Sequence, residues 1–419
     1  MADWAGSKAR RRALRDLRRN FPESACSRIE TLVIYLDNNA TTLIDPRVAE
    51  HMAELHRARL ANPSSQHAAG RRARQILEHS REQLLDACGG RMQGMASDQL
   101  VFTSGGTESN NLALLGFAAR RPGCVVVSRI EHSSVLGAAQ YLETRGRSVR
   151  YLPCSASGVV DVDVLRQWID EDPTGIACVS VMFANNETGV LQPVQAIGEL
   201  CRVAGVPFHT DAVQGFCKVP LRFQDLAADA MTVTSHKLHG PLGIGALVLR
   251  HGSMIEPHHY GGAQQLGLRP GTEMPVLASG FANAVGLAQA ELHERAQRMQ
   301  SLRERLERGV CHVAPVARIL AQDSHRLPHT SCIAFLGLDR QAIQIALDHR
   351  GVACSSGSAC ASGSSQPSHV LQAMHLTEDA VGGAIRFSLS FETTEREIDD
   401  TIAAVKQVID RMTMRPSSS

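Results

Sequence analysis

From Leu32 onward the chain alternates short apolar runs with amphipathic stretches, and this rhythm restricts the fold more than any other feature. Gln99–Thr103, Cys124–Ser128, Ile176–Val181, Val206–Thr210 and Ala230–Thr234 are each too short for a stable helix and nearly continuous in apolar or β-branched residues. Such runs mark strands buried on both faces. Helical spacing fills the intervals, so the sequence predicts an α/β domain on a mostly parallel sheet. Near Phe281 the alternation gives way to a long helical pattern, with Leu292, Ala296, Met299, Leu302 and Leu306 on one stripe. Arg and Glu occupy the other side and read as a solvated face. A helix leading into a second domain is expected there.

Length and composition narrow the function. A chain of 419 residues with 43% hydrophobic content can bury a large core and divide into two domains. Lys and Arg number 43 against 42 Asp and Glu, so no net field favours nucleic acid or an anionic membrane. No apolar run approaches the length of a membrane span. The expected partner is a small molecule. Eleven cysteines, odd in number and never in the C-x-x-C spacing of structural zinc, fit a reducing cytoplasm. The first thirty residues crowd Lys8, Arg10, Arg11, Arg12, Arg15, Arg18 and Arg19 together with no apolar segment behind them. A basic, solvated arm is expected there, not a secretory signal; an organellar presequence is the alternative, weakened by Asp3, Asp16 and Glu23.

One cysteine stands apart. Cys360 lies in the run Cys354-Ser-Ser-Gly-Ser-Ala-Cys360-Ala-Ser-Gly-Ser-Ser365, which is too small and polar to pack and predicts a mobile loop carrying a thiol. An exposed thiol of this kind points to reactivity, while Cys354, six residues earlier, reads as a small residue closing a short strand, with a resolving cysteine as the alternative.

In open parallel sheets ligands bind beyond the carboxyl ends of the strands, and four such places carry chemistry. Ser104-Gly105-Gly106-Thr107-Glu108-Ser109-Asn110-Asn111 follows the first strand and opens a helix, a pattern that lets backbone amides and a helix N-terminus meet an anion such as phosphate. Its spacing matches neither the dinucleotide nor the P-loop motif. Asp211 ends the strand Phe208-His209-Thr210, and Lys237 ends Thr234-Ser235-His236. A carboxylate, an amine and an anion nest are what pyridoxal 5′-phosphate requires: a partner for the pyridinium nitrogen, a Schiff-base lysine and a phosphate cradle. Gln214 lies one turn beyond Asp211, Asn186 ends another strand, and His132 offers a ring plane for stacking.

Together these segments resemble a known family. Leu36-Asp37-Asn38-Asn39-Ala40-Thr41-Thr42, Asn62-Pro63-Ser64-Ser65, Ser104–Asn111, Asn185–Gly189, Asp211–Gln214, Ser235-His236-Lys237, Arg269–Glu273, the Cys360 loop and Ile385–Leu389 occur in the order found in cysteine desulfurases of the nitrogen-fixation and iron–sulfur-assembly type, members of the class-V aminotransferase superfamily. The resemblance spans about residues 32 to 412. It implies a fold-type-I pyridoxal-phosphate transferase, with a large α/β domain over 47–290 and a small α+β domain from 31–46 and 291–413 that carries the Cys360 loop. The arm 1–30 and a flexible tail 414–419 flank them.

The same resemblance implies roles. Lys237 would carry the cofactor, Asp211 pair with its ring nitrogen, Gln214 contact its phenolic oxygen and His132 stack on its ring. Gly106, Thr107, Thr234 and His236 would hold its phosphate, and Thr272 would reach the phosphate of the other subunit of a homodimer. Asn186 and Arg386 would bind the carboxylate of L-cysteine, Arg386 through its planar fork. Cys360 would take the sulfur as a persulfide, release alanine and hand the sulfur to an acceptor protein such as an iron–sulfur scaffold. Leu242, where many relatives carry lysine, and Ser390-Phe391-Glu392 depart from the pattern without removing a catalytic group. A selenocysteine lyase would share these residues, an aminotransferase would have no use for Cys360, and a non-catalytic homologue would be expected to have lost one of them.

Overall fold

The computed structural model describes residues 33–94, 96–357 and 366–414. The expectations for the basic arm, for Cys360 and for the tail beyond 414 lie outside these residues. A two-residue strand, β1 (Ile34–Tyr35), opens the described chain. A seven-stranded sheet follows from β2 (Gln99–Thr103), β3 (Cys124–Ser128), β4 (Val149–Leu152), β5 (Ile176–Ser180), β6 (Phe208–Asp211), β7 (Ala230–Thr234) and β8 (Gly245–Leu249). Its order is β2-β8-β7-β6-β5-β3-β4, and only β8 runs against its neighbours.

Every residue of β3, β5, β7 and β8 is buried, as expected of strands covered by helices on both faces. The five strands read from the sequence are all present. β4 and β8 are additional: β4 is an edge strand interrupted by Arg150, and β8 follows a glycine-rich turn that masks its apolar run. Gly245 at the start of β8 must be glycine, since a Cβ there would lie 2.7 Å from the backbone of Gly105. That close approach presses the Gly105 turn, and the helix after it, onto the sheet.

A second core gathers Leu36, Leu306, Val310, Ile333, Phe335, Phe387 and Val405. It is organised by an antiparallel sheet of β9 (Ala317–Ile319), β10 (Thr330–Phe335) and β12 (Ala384–Ser388), with β11 (Val352–Ala353) paired in parallel to β1. The long helix Leu292–Val313 leads into it. The expected solvated face holds at Glu294, Arg298, Arg305 and Arg308, which are exposed, but is corrected at Arg295, Arg303 and Glu307, which are buried. Each has partners that make burial tolerable: Glu307 takes Arg326 at 2.8 Å and the Ser331 hydroxyl at 2.7 Å, and Arg303 donates to Leu327 O at 2.8 Å. Arg295 pairs with Glu291 and lies 3.7 Å over the Phe391 ring, which anchors this helix.

The segment Asp37–Thr42 stitches the two sheets together. Asn38 Nδ2 donates to Ser388 O at 2.8 Å and Asn39 Nδ2 to Thr330 Oγ1 at 2.9 Å, while Thr42 N donates to His236 O at 2.9 Å. Among the described residues no helix is long and apolar enough to cross a membrane.

Candidate active site

The carboxyl ends of β2, β6 and β7 open onto one cavity of about 230 Å³. On its floor, buried Asp211 accepts from Asn110 Nδ2 at 2.6 Å and from Val213 N at 3.0 Å, one bond to each oxygen. Asn110 reaches it because the helix Gly106–Arg120 begins inside the glycine run. Asn110 Nδ2 also donates to Ser134 Oγ at 2.8 Å, and Ser134 Oγ lies 2.7 Å from His132 Nδ1. His132 caps the helix Ser133–Thr144, with Ser134 N donating to Nδ1 at 3.2 Å. An Nδ1 that accepts an amide leaves the ring proton on Nε2, so the imidazole is fixed in tautomer and orientation beside the cavity.

Lys237 brings an amine to the same cavity. Lys237 Nζ donates to the carbonyls of Asn39 and Ala40, each at 2.5 Å, and Gln214 Nε2 donates to the same Asn39 carbonyl at 3.0 Å. Thr234 is buried and donates its hydroxyl to Ile244 O at 3.2 Å. His236 Nδ1 lies 3.2 Å from Thr41 Oγ1, and burial, reinforced by the charges of Lys237 and Lys218, pushes its pKa down to about 4. His236 is therefore neutral at pH 7. Thr107 sits exposed at the N-terminus of the helix Gly106–Arg120 and lines the same cavity.

Arg386, in β12, brings the second sheet to the cavity. Its Nη2 donates to Asp37 Oδ1 at 2.6 Å and its Nη1 to Asn186 O at 3.0 Å, while its buried Nε has no partner among the described residues. Two of five N–H groups are thus committed, and a carboxylate can still meet the fork. Beside Asn186, buried Glu187 accepts from Ser368 Oγ at 2.6 Å. Gly357, at φ +89°, leaves only 2.6 Å between Glu187 Oε2 and the place a Cβ would take. The described ends of the segment that carries Cys360 both close on this carboxylate.

The cavity brings together Gly106, Thr107, His132, Asn186, Asp211, Gln214, Thr234, His236, Lys237 and Arg386. Thr272 is exposed and does not line it. Cys354 is buried, and burial pushes its thiol up to about 12. Sequence reasoning gave no role to Asp37, Asn39, Asn110, Ser134, Glu187 or Lys218. Asp37, Asn39, Asn110 and Glu187 stand inside motifs already singled out, but which partner each would meet depends on the crossing of the two sheets.

Residues 34–400 match the family described as aminotransferase class-V. The chain is 42% identical over 382 residues to a cysteine desulfurase of Bradyrhizobium diazoefficiens, covering 90% of this chain and 95% of that one. It is 37% identical over 378 residues to the cysteine desulfurase NifS of Azotobacter vinelandii, covering 90% and 92%. The X-ray structure of a NifS-like protein from Rickettsia africae superposes with a TM-score of 0.82 at 34% identity, covering 90% of this chain and 99% of that one.

Proposed function

Since this chain belongs to the class-V aminotransferase family and is a cysteine desulfurase, we infer that its cavity binds pyridoxal 5′-phosphate on Lys237 and that Cys360 takes the sulfur of L-cysteine. The observation that carries this reading is the Lys237 amine and the Asp211 carboxylate at neighbouring strand ends, facing one cavity that also receives a helix N-terminus. The residues present fit the group. Both Asp211 oxygens are held as acceptors, suited to a ring N–H, and the Gly106 helix end suits a phosphate with Thr107, Thr234 and His236 around it. His132, locked by Ser134, would stack on the ring, and Gln214 would meet its phenolic oxygen.

Pyridoxal 5′-phosphate, when bound, supplies an electron sink that makes the α-proton of an amino acid removable. The protein does the rest. Arg386 and Asn186 would hold the substrate carboxylate, a reading supported by both residues lining the cavity and by Arg386 Nη1 and Nη2 each having a second N–H beyond the one bonded to Asn186 O or Asp37 Oδ1. Lys237 Nζ would move the α-proton. The Cys360 thiolate would then form an S–S bond to the substrate sulfur as the substrate C–S bond breaks, so that L-cysteine and one thiol become L-alanine and one persulfide. An acceptor protein, such as an iron–sulfur scaffold, would remove that sulfur.

We read the protein as a homodimer in which Thr272 completes the phosphate site of the partner subunit, a reading supported by its exposure outside its own cavity. Nine described cysteines are free thiols, in keeping with a cytoplasmic setting. Incubation with L-cysteine, and in parallel with L-selenocysteine, tests the function. Alanine formed together with a persulfide mapped to Cys360 is the expected result. Turnover of selenocysteine alone would reassign the enzyme as a selenocysteine lyase.

A further inference from the structure

Lys218 is a buried amine that none of the roles above uses. It lies on the turn after β6, four residues beyond Gln214, and its Nζ is 3.2 Å from Gln214 Oε1. The other end of the same amide donates from Nε2 to Asn39 O at 3.0 Å. These contacts settle which way the amide faces. A backbone carbonyl only accepts, so the NH₂ must lie on the Asn39 side and the carbonyl oxygen on the Lys218 side, where the amine donates to it. One N–H is spent on Asn39 and the second remains for a group in the cavity that Gln214 lines.

We propose that Lys218 is a positioning residue acting through Gln214, holding the amide so that its N–H faces the phenolic oxygen of the bound cofactor. This rests on the assignment of pyridoxal 5′-phosphate to Lys237. Without Lys218, Gln214 Oε1 would be buried and unpaired, and the amide would rotate to find a donor. The surroundings make Lys218 a purpose-built donor more than a structural cation. It borders a small cavity of about 30 Å³, room for one water, together with Lys237, His239, Arg295 and His329. Burial first, then the charges of Lys237 and Arg386, opposed by Cys217, push the ammonium down to about 7. An amine donates in either protonation state, so the hold on Gln214 survives the loss of its charge.

The test is a pH titration of the visible absorbance of the bound cofactor in the holoenzyme, comparing wild type with K218M, K218R, Q214A and K218M/Q214A. A hydrogen bond to the phenolic oxygen favours the deprotonated cofactor–lysine linkage, so its loss raises the midpoint. K218M and Q214A should each raise it by about one pH unit, the double variant should rise no further than Q214A, and K218R, which still donates, should stay near wild type. Should K218M fail to fold, K218A takes its place, since alanine carries no side-chain donor for Gln214 Oε1. Shifts that add in the double variant, or an unmoved midpoint in K218M with cofactor bound, would overturn the proposal. A wild-type protein with no visible band would instead overturn the cofactor assignment beneath it.

Discussion

Arg386 Nη2 donates to Asp37 Oδ1 at 2.6 Å, which ties β12, at a residue that lines the cavity, to the segment following β1. The Arg386 side chain is only 3% exposed, so this pair fixes the plane of the guanidinium. The guanidinium so held lines the cavity, where a substrate carboxylate would meet it.

Arg386→Lys should therefore impair turnover although charge is kept, since one ammonium cannot serve Asp37, the Asn186 carbonyl and a carboxylate in the same geometry. Loss of a charged hydrogen bond of about 1.5–3 kcal/mol predicts a tenfold to hundredfold fall in kcat/KM for L-cysteine. An unchanged kcat/KM would place the substrate carboxylate elsewhere.

The two thiols separate cleanly. Cys360→Ser should keep cofactor and substrate binding and lose persulfide formation, whereas Cys354→Ser should be mild, because the buried Cys354 thiol is held protonated. Mass mapping of the persulfide after L-cysteine treatment checks both, and a lethal Cys354 change would reassign the nucleophile.

Glu131 gives a pH dependence. It is fully buried, and burial, opposed by bonds from Ser128 Oγ at 2.5 Å and Met182 N at 2.7 Å, pushes its carboxyl up to about 8. Between its unfolded value near 4.3 and about 8, the folded chain binds a proton that the unfolded chain lacks, so this group makes stability fall as pH rises. Glu131→Gln removes that term. Denaturant melts at pH 5, 6.5 and 8 should show the variant gaining on wild type with pH, by at most about 1.4 kcal/mol per unit. A constant difference would mean that Glu131 does not take up the proton.

Thr272 tests the shared site. Cofactor absorbance and sedimentation should fall together on dilution, because mass action couples association to cofactor binding, and Thr272→Ala should release cofactor at higher protein concentration. A monomer that keeps its cofactor would refute the shared site.

The sheet was legible because β2, β3, β5, β6 and β7 are buried on both faces and spell themselves out as apolar runs. β8 was not, since its run begins in Gly245, whose meaning is the backbone of Gly105 above it. The buried charges of the helix Leu292–Val313 were also illegible, because Glu307 is paired by Arg326 and Ser331 from a different part of the chain. Residues that would touch a cofactor announced themselves by lying after strands. Those that orient them, Asn110 beneath Asp211 and Lys218 behind Gln214, did so only once the chain was folded.

The central claim is that Lys237 and Asp211 hold pyridoxal 5′-phosphate between them. Borohydride reduction of the purified protein, followed by peptide mapping, tests it most directly. The account predicts a single pyridoxyl-modified peptide containing Lys237, absent from Lys237→Ala and diminished in Asp211→Ala. Reduced cofactor mapped to Lys218 or to any other lysine would contradict it.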